Sequence, residues 1–116
     1  MAQLSTGIIE NTIDSLGARP SSSLAVRIAN DDAIFAATVL INGYFLSGGT
    51  KTLYVQELLA IAPGNVVSKS YFAALDAIEF QFDTSSDSVE TSVWGKNSAG
   101  ELNAAHRIVP AELDSF

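Results

Sequence analysis

From Ala77 to Val109 hydrophobic and polar positions alternate along the chain. Ile78, Phe80 and Phe82 are separated by Ala77, Glu79 and Gln81, a period of two that gives a strand one dry face and one wet face. The run Asp83-Thr84-Ser85-Ser86-Asp87-Ser88 offers only small polar residues that favour turns, and Val89, Thr91 and Val93 then resume the alternation. Lys96-Asn97-Ser98-Ala99-Gly100 turns the chain again, and Leu102, Ala104, His106 and Ile108 alternate with Asn103, Ala105 and Arg107. The pattern predicts three strands joined as an antiparallel meander.

The preceding segments carry the same signature. Leu24, Val26 and Ile28 alternate with Ala25, Arg27 and Ala29, and Asn30-Asp31-Asp32 stops that strand. From Ile34 to Leu46, Phe35, Ala37, Val39, Ile41 and Phe45 share one face while Leu40, Tyr44 and Leu46 share the other. Two apolar faces predict a central strand, or one whose outer face meets a neighbour. Ser47-Gly48-Gly49-Thr50 is a turn. Residues 51–61 fit a strand, but Tyr54, Leu58 and Ile61 also fit helical spacing. Residues 66–75 are likewise ambiguous, because Ala73-Ala74 favours a helix while Val66, Val67, Tyr71 and Phe72 favour a strand. Turn signals recurring about every 8–12 residues decide both as strands. About eight strands result, and the fold class is all-β, a two-sheet jelly-roll sandwich.

Residues 1–12 read as an N-terminal connector arm, and residues 13–116 as the jelly-roll domain. The arm and its junction carry Leu4, Ile8, Ile9 and Ile13. If extended, Leu4, Thr6 and Ile8 share one face and Ile9, Asn11 and Ile13 the other, with Gly7 free to kink between them. A frayed terminus and a docked strand both fit these residues. Ser15-Leu16-Gly17-Ala18-Arg19-Pro20-Ser21-Ser22-Ser23 is a turn-rich link in which Pro20 keeps Arg19 extended.

Composition narrows the function classes. The 116 residues suit one domain able to hold a core without staples, and with no cysteine there is neither a disulfide nor a thiolate metal site. Six lysines and arginines against 13 acidic residues give a net charge of -7, which repels phosphate backbones and anionic lipid. Neither nucleic acid nor a membrane is an expected partner. The N-terminus lacks the basic segment and apolar run of a secretory signal, and no apolar stretch approaches the ~20 residues that span a bilayer. Yet the chain is 47% hydrophobic and only 16% charged, a surplus that points to surface covered by another subunit.

Candidate chemistry is sparse. Gly43-Tyr44-Phe45-Leu46-Ser47-Gly48 has the glycine spacing of a phosphate-binding loop, but Gly49-Thr50-Lys51 follows, where that motif needs lysine directly after the second glycine. It reads as a hairpin turn. His106 is the one histidine, so it fits a structural place in a strand better than a catalytic one. Asp83, Asp87 and Glu90, or Asp31 with Asp32, could offer carboxylates to calcium but lack the spacing of a dedicated loop. Glu79 and Glu90 could face each other across a hairpin in the manner of a glycosidase pair, without an aromatic-lined cleft to accompany them. Trp94 shares the face of Glu90 and Ser92, opposite Val93, which puts the largest apolar side chain on the nominally wet side. Partial burial beside a bulge at Gly95, a subunit contact and a sugar platform all fit it. No catalytic residue, metal ligand or cofactor follows from the sequence.

Several stretches also resemble a known family. The run Ser15–Leu24, Lys51-Thr52-Leu53-Tyr54-Val55-Gln56-Glu57-Leu58, Phe80-Gln81-Phe82, Ser92-Val93-Trp94-Gly95-Lys96-Asn97 and Ala105-His106-Arg107 resemble the endospore appendage subunits of spore-forming bacilli. Those are jelly-roll proteins that polymerise into fibres on the spore surface through a mobile N-terminal connector. The better-known members cross-link successive subunits through connector cysteines, and this arm has none, so the chain resembles a cysteine-free branch. The resemblance implies a non-enzymatic structural subunit in a helical fibre of identical copies on the spore surface or exosporium, exported without a signal peptide. It leaves open an anchor protein and a collagen-like tip protein as further partners. The expected interface residues are Leu4, Ile8, Ile9, Ile13 and Trp94. The alternative is a lectin-like jelly-roll domain that binds carbohydrate through exposed aromatics.

Overall fold

The computed structural model describes residues 2–13, 15–108 and 114–115. Met1, Val109 and Phe116, which bound some of the expected segments, lie outside the described residues. All regular elements described are strands: β1 (Ala2–Ser5), β2 (Ile9–Glu10), β3 (Ser23–Asn30), β4 (Ala37–Ser47), β5 (Thr50–Ile61), β6 (Val66–Phe72), β7 (Ala77–Thr84), β8 (Val89–Lys96), β9 (Leu102–Ile108) and β10 (Asp114–Ser115). Eight of these have four residues or more.

They form two antiparallel sheets, one in the order β10-β1-β7-β4-β5 with β2 also paired to β7, the other in the order β6-β3-β8-β9. This is the expected all-β two-sheet sandwich. The β3–β8 pair encloses the β4–β7 pair in sequence and lies in the opposite sheet. The β4–β5 and β8–β9 pairs are hairpins within one sheet.

The alternating positions explain the layers. Leu24, Val26 and Ile28 of β3, Val39 and Ile41 of β4, Ile78, Phe80 and Phe82 of β7 and Val93 of β8 are all fully buried between the sheets. Phe80 anchors an aromatic cluster, with Tyr71 and Tyr54 at centroid distances of 5.4 and 6.1 Å and Phe45 beyond Tyr54. On the side where β5 and β6 meet, Tyr54 Oη donates to the Phe72 carbonyl at 2.6 Å, and Tyr71 Oη donates to Glu57, which also pairs with Lys69. Burial pushes the Tyr54 phenol up to about 12.

Three expectations need correction. The stretch 77–109 is not one meander, because β7 and β8 lie in different sheets and the loop between them crosses from one to the other. Phe80 and Phe82 face inward from one sheet and Val89, Thr91 and Val93 from the other, so the two strands pack face to face. The fourth strand begins at Ala37, since Asp32 Oδ1 accepts the amides of Ile34 and Phe35 and turns that segment outward. The sixth ends at Phe72, and Ala73 follows as a buried loop residue bonded to the Ser22 carbonyl.

Candidate functional site: the N-terminal strand and its groove

The N-terminal segment is a strand of its own sandwich. β1 lies between β7 and β10, with Leu4 opposite Phe82 on one side and opposite Ser115 on the other. β2 continues along β7 with Ile9 opposite Ile78. Phe82 and Ile78 are four residues apart, but Leu4 and Ile9 are five apart, so a regular strand would point one of the pair away from the core. The extra residue is absorbed at Gly7, whose φ of 68° is the left-handed region open to glycine. Around it the Thr6 amide donates to the Phe80 carbonyl, and the Phe80 amide donates to Thr6 Oγ1 instead of to backbone. Leu4 thus packs against the core and Ile9 is buried, from what the alternation alone would place on opposite faces.

Polar clips hold the strand at both ends. Ser5 Oγ donates to Glu79 Oε2 at 2.6 Å, while Lys51 Nζ donates to Glu79 Oε1 at 2.7 Å and Gln81 Nε2 to Oε2 at 3.2 Å. Burial pushes the Glu79 carboxyl up, but these donors outweigh it and hold the group below the usual glutamate range. At the other end Asn11 is fully buried. Its Nδ2 donates to the carbonyls of Ser21, Ala73 and Leu75 at 2.7, 2.7 and 3.0 Å, and its Oδ1 accepts the Ser21 amide at 2.8 Å. The Asn11 amide donates to the Asp76 carbonyl, and Arg19 joins the Asn11 carbonyl to the Asp76 carboxylate.

His106 belongs to the same junction. The Glu10 backbone carbonyl accepts from the ring, and Nδ1 and Ser21 Oγ are hydrogen-bonded at 2.6 Å. Burial lowers its pKa, with the Glu10 bond opposing more weakly. Gly95 makes room for this contact at the irregularity between Val93 and Gly95, because a Cβ there would overlap Ser21 Oγ and stand 2.8 Å from His106 Cβ.

Of the expected interface residues, Leu4 and Ile9 are together in the groove, covered by their own chain. Ile8 and Ile13 are outside it, each 53% exposed. Trp94 is half-buried on the outer face of the other sheet, away from the arm. Sequence reading missed Ser5, Asn11, Ser21 and Arg19, the residues that fasten the strand. An asparagine on the face shared by Ile9 and Ile13 is the one sequence signal that could have found them.

No protein-family model matches the chain, and no characterised protein matches it in sequence. Among solved structures it is similar to the crystal structure of Thermotoga maritima 1070, at TM-score 0.49 and 11% identity, over 99% of this chain and 90% of that one. A likeness at that level carries no functional information.

The other candidate chemistry disperses in the fold. Glu79 lies in the first sheet and Glu90 in the second, so the two carboxylates do not face each other across a hairpin. Among the described residues no three acidic or histidine side chains are gathered to hold a metal ion. Gly48 and Gly49 form the two-residue turn between Ser47 and Thr50, which are paired, so the glycine-rich stretch is a hairpin as its sequence indicates.

Proposed function

We propose that this chain is a non-enzymatic structural subunit that self-assembles head to tail into a non-covalent fibre, the N-terminal strand of one copy occupying the groove beside β7 of the next. The resemblance to endospore appendage subunits supports the spore surface as its location. The observation that carries the reading is the N-terminal strand itself. It is a separable segment, ended by the Asn11 clip and a turn-rich link, yet it fills an interior position of the sheet. Seated in its own chain, it makes a self-complemented monomer. Seated in a neighbour, the same contacts make a swapped, heterologous and therefore propagating assembly.

The contacts in the groove are the same in both states, so they do not decide between them. Each backbone hydrogen bond contributes about 0.5–1.5 kcal/mol and each buried aliphatic about 1.5–3 kcal/mol wherever the strand comes from. Intramolecular seating is favoured by its high effective concentration. What favours exchange is surface that only a neighbour can cover: Ile8 and Ile13, with Leu53 and Leu58 of β5 at 44% and 68% exposure.

A removable lock tests this. Gln3 and Asp83 are cross-strand partners, at the ~5 Å separation a disulfide tolerates, and the chain has no cysteine to interfere. Oxidised Q3C/D83C stays monomeric by negative-stain microscopy and light scattering, and gains fibres when reduced, while wild-type fibres survive the same reductant. Fibres from the oxidised variant would remove strand exchange from the mechanism. Deleting residues 1–10 is the weaker test, because it uncovers Phe82 and Ile78.

A further inference from the structure

On the outer face of the second sheet the small residues Ala25 and Ala29 of β3 and Ser92 of β8 alternate with Arg27, Glu90, Trp94 and Lys96. Trp94 stands out from it directly opposite Ala25, so no large side chain across the strand pair covers the indole. Arg27 is one rung away on one side, with Cζ 6.0 Å from the ring centroid, and Lys96 is one rung away on the other. Gly100 and Leu102 from the β8–β9 hairpin line the far side of an open cleft of about 300 Å³. This is the low end of the range for small-molecule sites, the size of one or two sugar rings.

Charge makes the place unusual. The chain has 13 acidic residues against six basic ones, yet no ion pair joins Arg27 or Lys96 to a carboxylate among the described residues. The core does not use Trp94, and the strand-exchange groove lies in the other sheet. Two cations without a carboxylate partner therefore flank the indole, and one of them, Arg27, makes a cation–π contact with it.

We infer that the cleft between Trp94, Arg27 and Lys96 binds a carboxylate-bearing sugar ring of the uronic acid class. The apolar C–H face of a pyranose stacks on the indole. The planar guanidinium of Arg27 matches the two oxygens of the carboxylate, and Lys96 adds a point charge on the opposite side. A neutral sugar gains the stacking but leaves both cations unanswered. This inference does not depend on the fibre proposal, since it concerns the other sheet.

Trp94 is the one tryptophan, so its fluorescence reports the cleft directly. The full chain is titrated with a tetragalacturonate, with cellotetraose as the neutral analogue and sodium acetate as the bare carboxylate. A saturable change with tetragalacturonate at or below about 10 mM is expected, at least about tenfold tighter than with cellotetraose and weakened by salt. R27Q/K96Q, with an unchanged circular dichroism spectrum, is expected to lose about tenfold or more in affinity for the acidic sugar and to keep its response to the neutral one. No saturable change, equal affinity for both sugars, the same response to acetate, or undiminished binding by a folded R27Q/K96Q would each overturn the assignment. Light scattering on the same samples follows assembly separately.

Discussion

Replacing Asn11 by alanine tests whether one buried amide fastens the N-terminal strand to the sandwich. Its two N–H groups serve three carbonyls, those of Ser21, Ala73 and Leu75, and its carbonyl accepts the Ser21 amide. Alanine leaves these groups buried without a partner, at about 1–3 kcal/mol for each group that water cannot reach. If a water entering the small cavity satisfies some of them and two remain, the loss is about 2–6 kcal/mol, a large share of the ~5–15 kcal/mol that holds a domain of this size. Urea unfolding followed by circular dichroism measures it, and amide exchange at Thr6 and Ile9 is expected to accelerate more than exchange in β3. Asn11→Asp is a sharper variant, because it turns acceptor oxygens towards three carbonyls. Its folded-state pKa must rise, so it is less stable than Asn11→Ala at pH 7 and recovers as the pH falls through that raised value and the carboxyl becomes a donor. An Asn11→Ala protein within about 0.5 kcal/mol of wild type, with unchanged exchange in the arm, would refute the clip.

Glu79 supplies an acid-sensitive contact to the same strand. Its folded pKa is depressed, so its contribution is complete above the ordinary value of 4.5 and is lost as the pH falls through the lower folded value; Glu79→Gln is expected to flatten that limb of a stability profile. His106 is expected to titrate below 6.5 by NMR, which is simple to read for the one histidine, and its contribution to stability declines as the pH falls below that value. Gly95→Ala, whose Cβ would overlap Ser21 Oγ, is expected to cost about 1–3 kcal/mol in thermal or urea unfolding and to bring the His106 pKa back towards 6.5 as the junction opens. Phe82→Ala removes a fully buried ring opposite Leu4 and is expected to cost about 3–5 kcal/mol, measured in the same unfolding assay.

The strands were legible because their signal is local. Period-two alternation marks which side chains of β3, β7 and β8 face inward, and the turn residues at 47–50 and 96–100 mark where the chain reverses. Residues 51–61 and 66–75 fitted two readings, and the strand form prevailed because β5 and β6 are edge strands whose inner positions, Tyr54, Leu59, Val67 and Tyr71, pack against a core made by other segments.

Sheet membership was not legible. Alternation says that a strand has a dry face, but two strands joined by a short loop can present those faces side by side in one sheet or towards each other across a core. β8–β9 does the first and β7–β8 the second. The same limit applies to the arm, where Leu4 and Ile9 have the wrong parity for one face until pairing with β7 fixes the extra residue at Gly7. It applies as well to Asn11, whose partners lie 10 to 64 residues away. The chain by itself determined the strands, their inward faces and the lack of cysteine chemistry, since each depends on neighbours in sequence. Only the tertiary structure decided which strand lies beside which, where the N-terminal strand is seated and that Arg27, Trp94 and Lys96 share one cleft, because pairing energy belongs to contacts between segments that local pattern leaves undetermined.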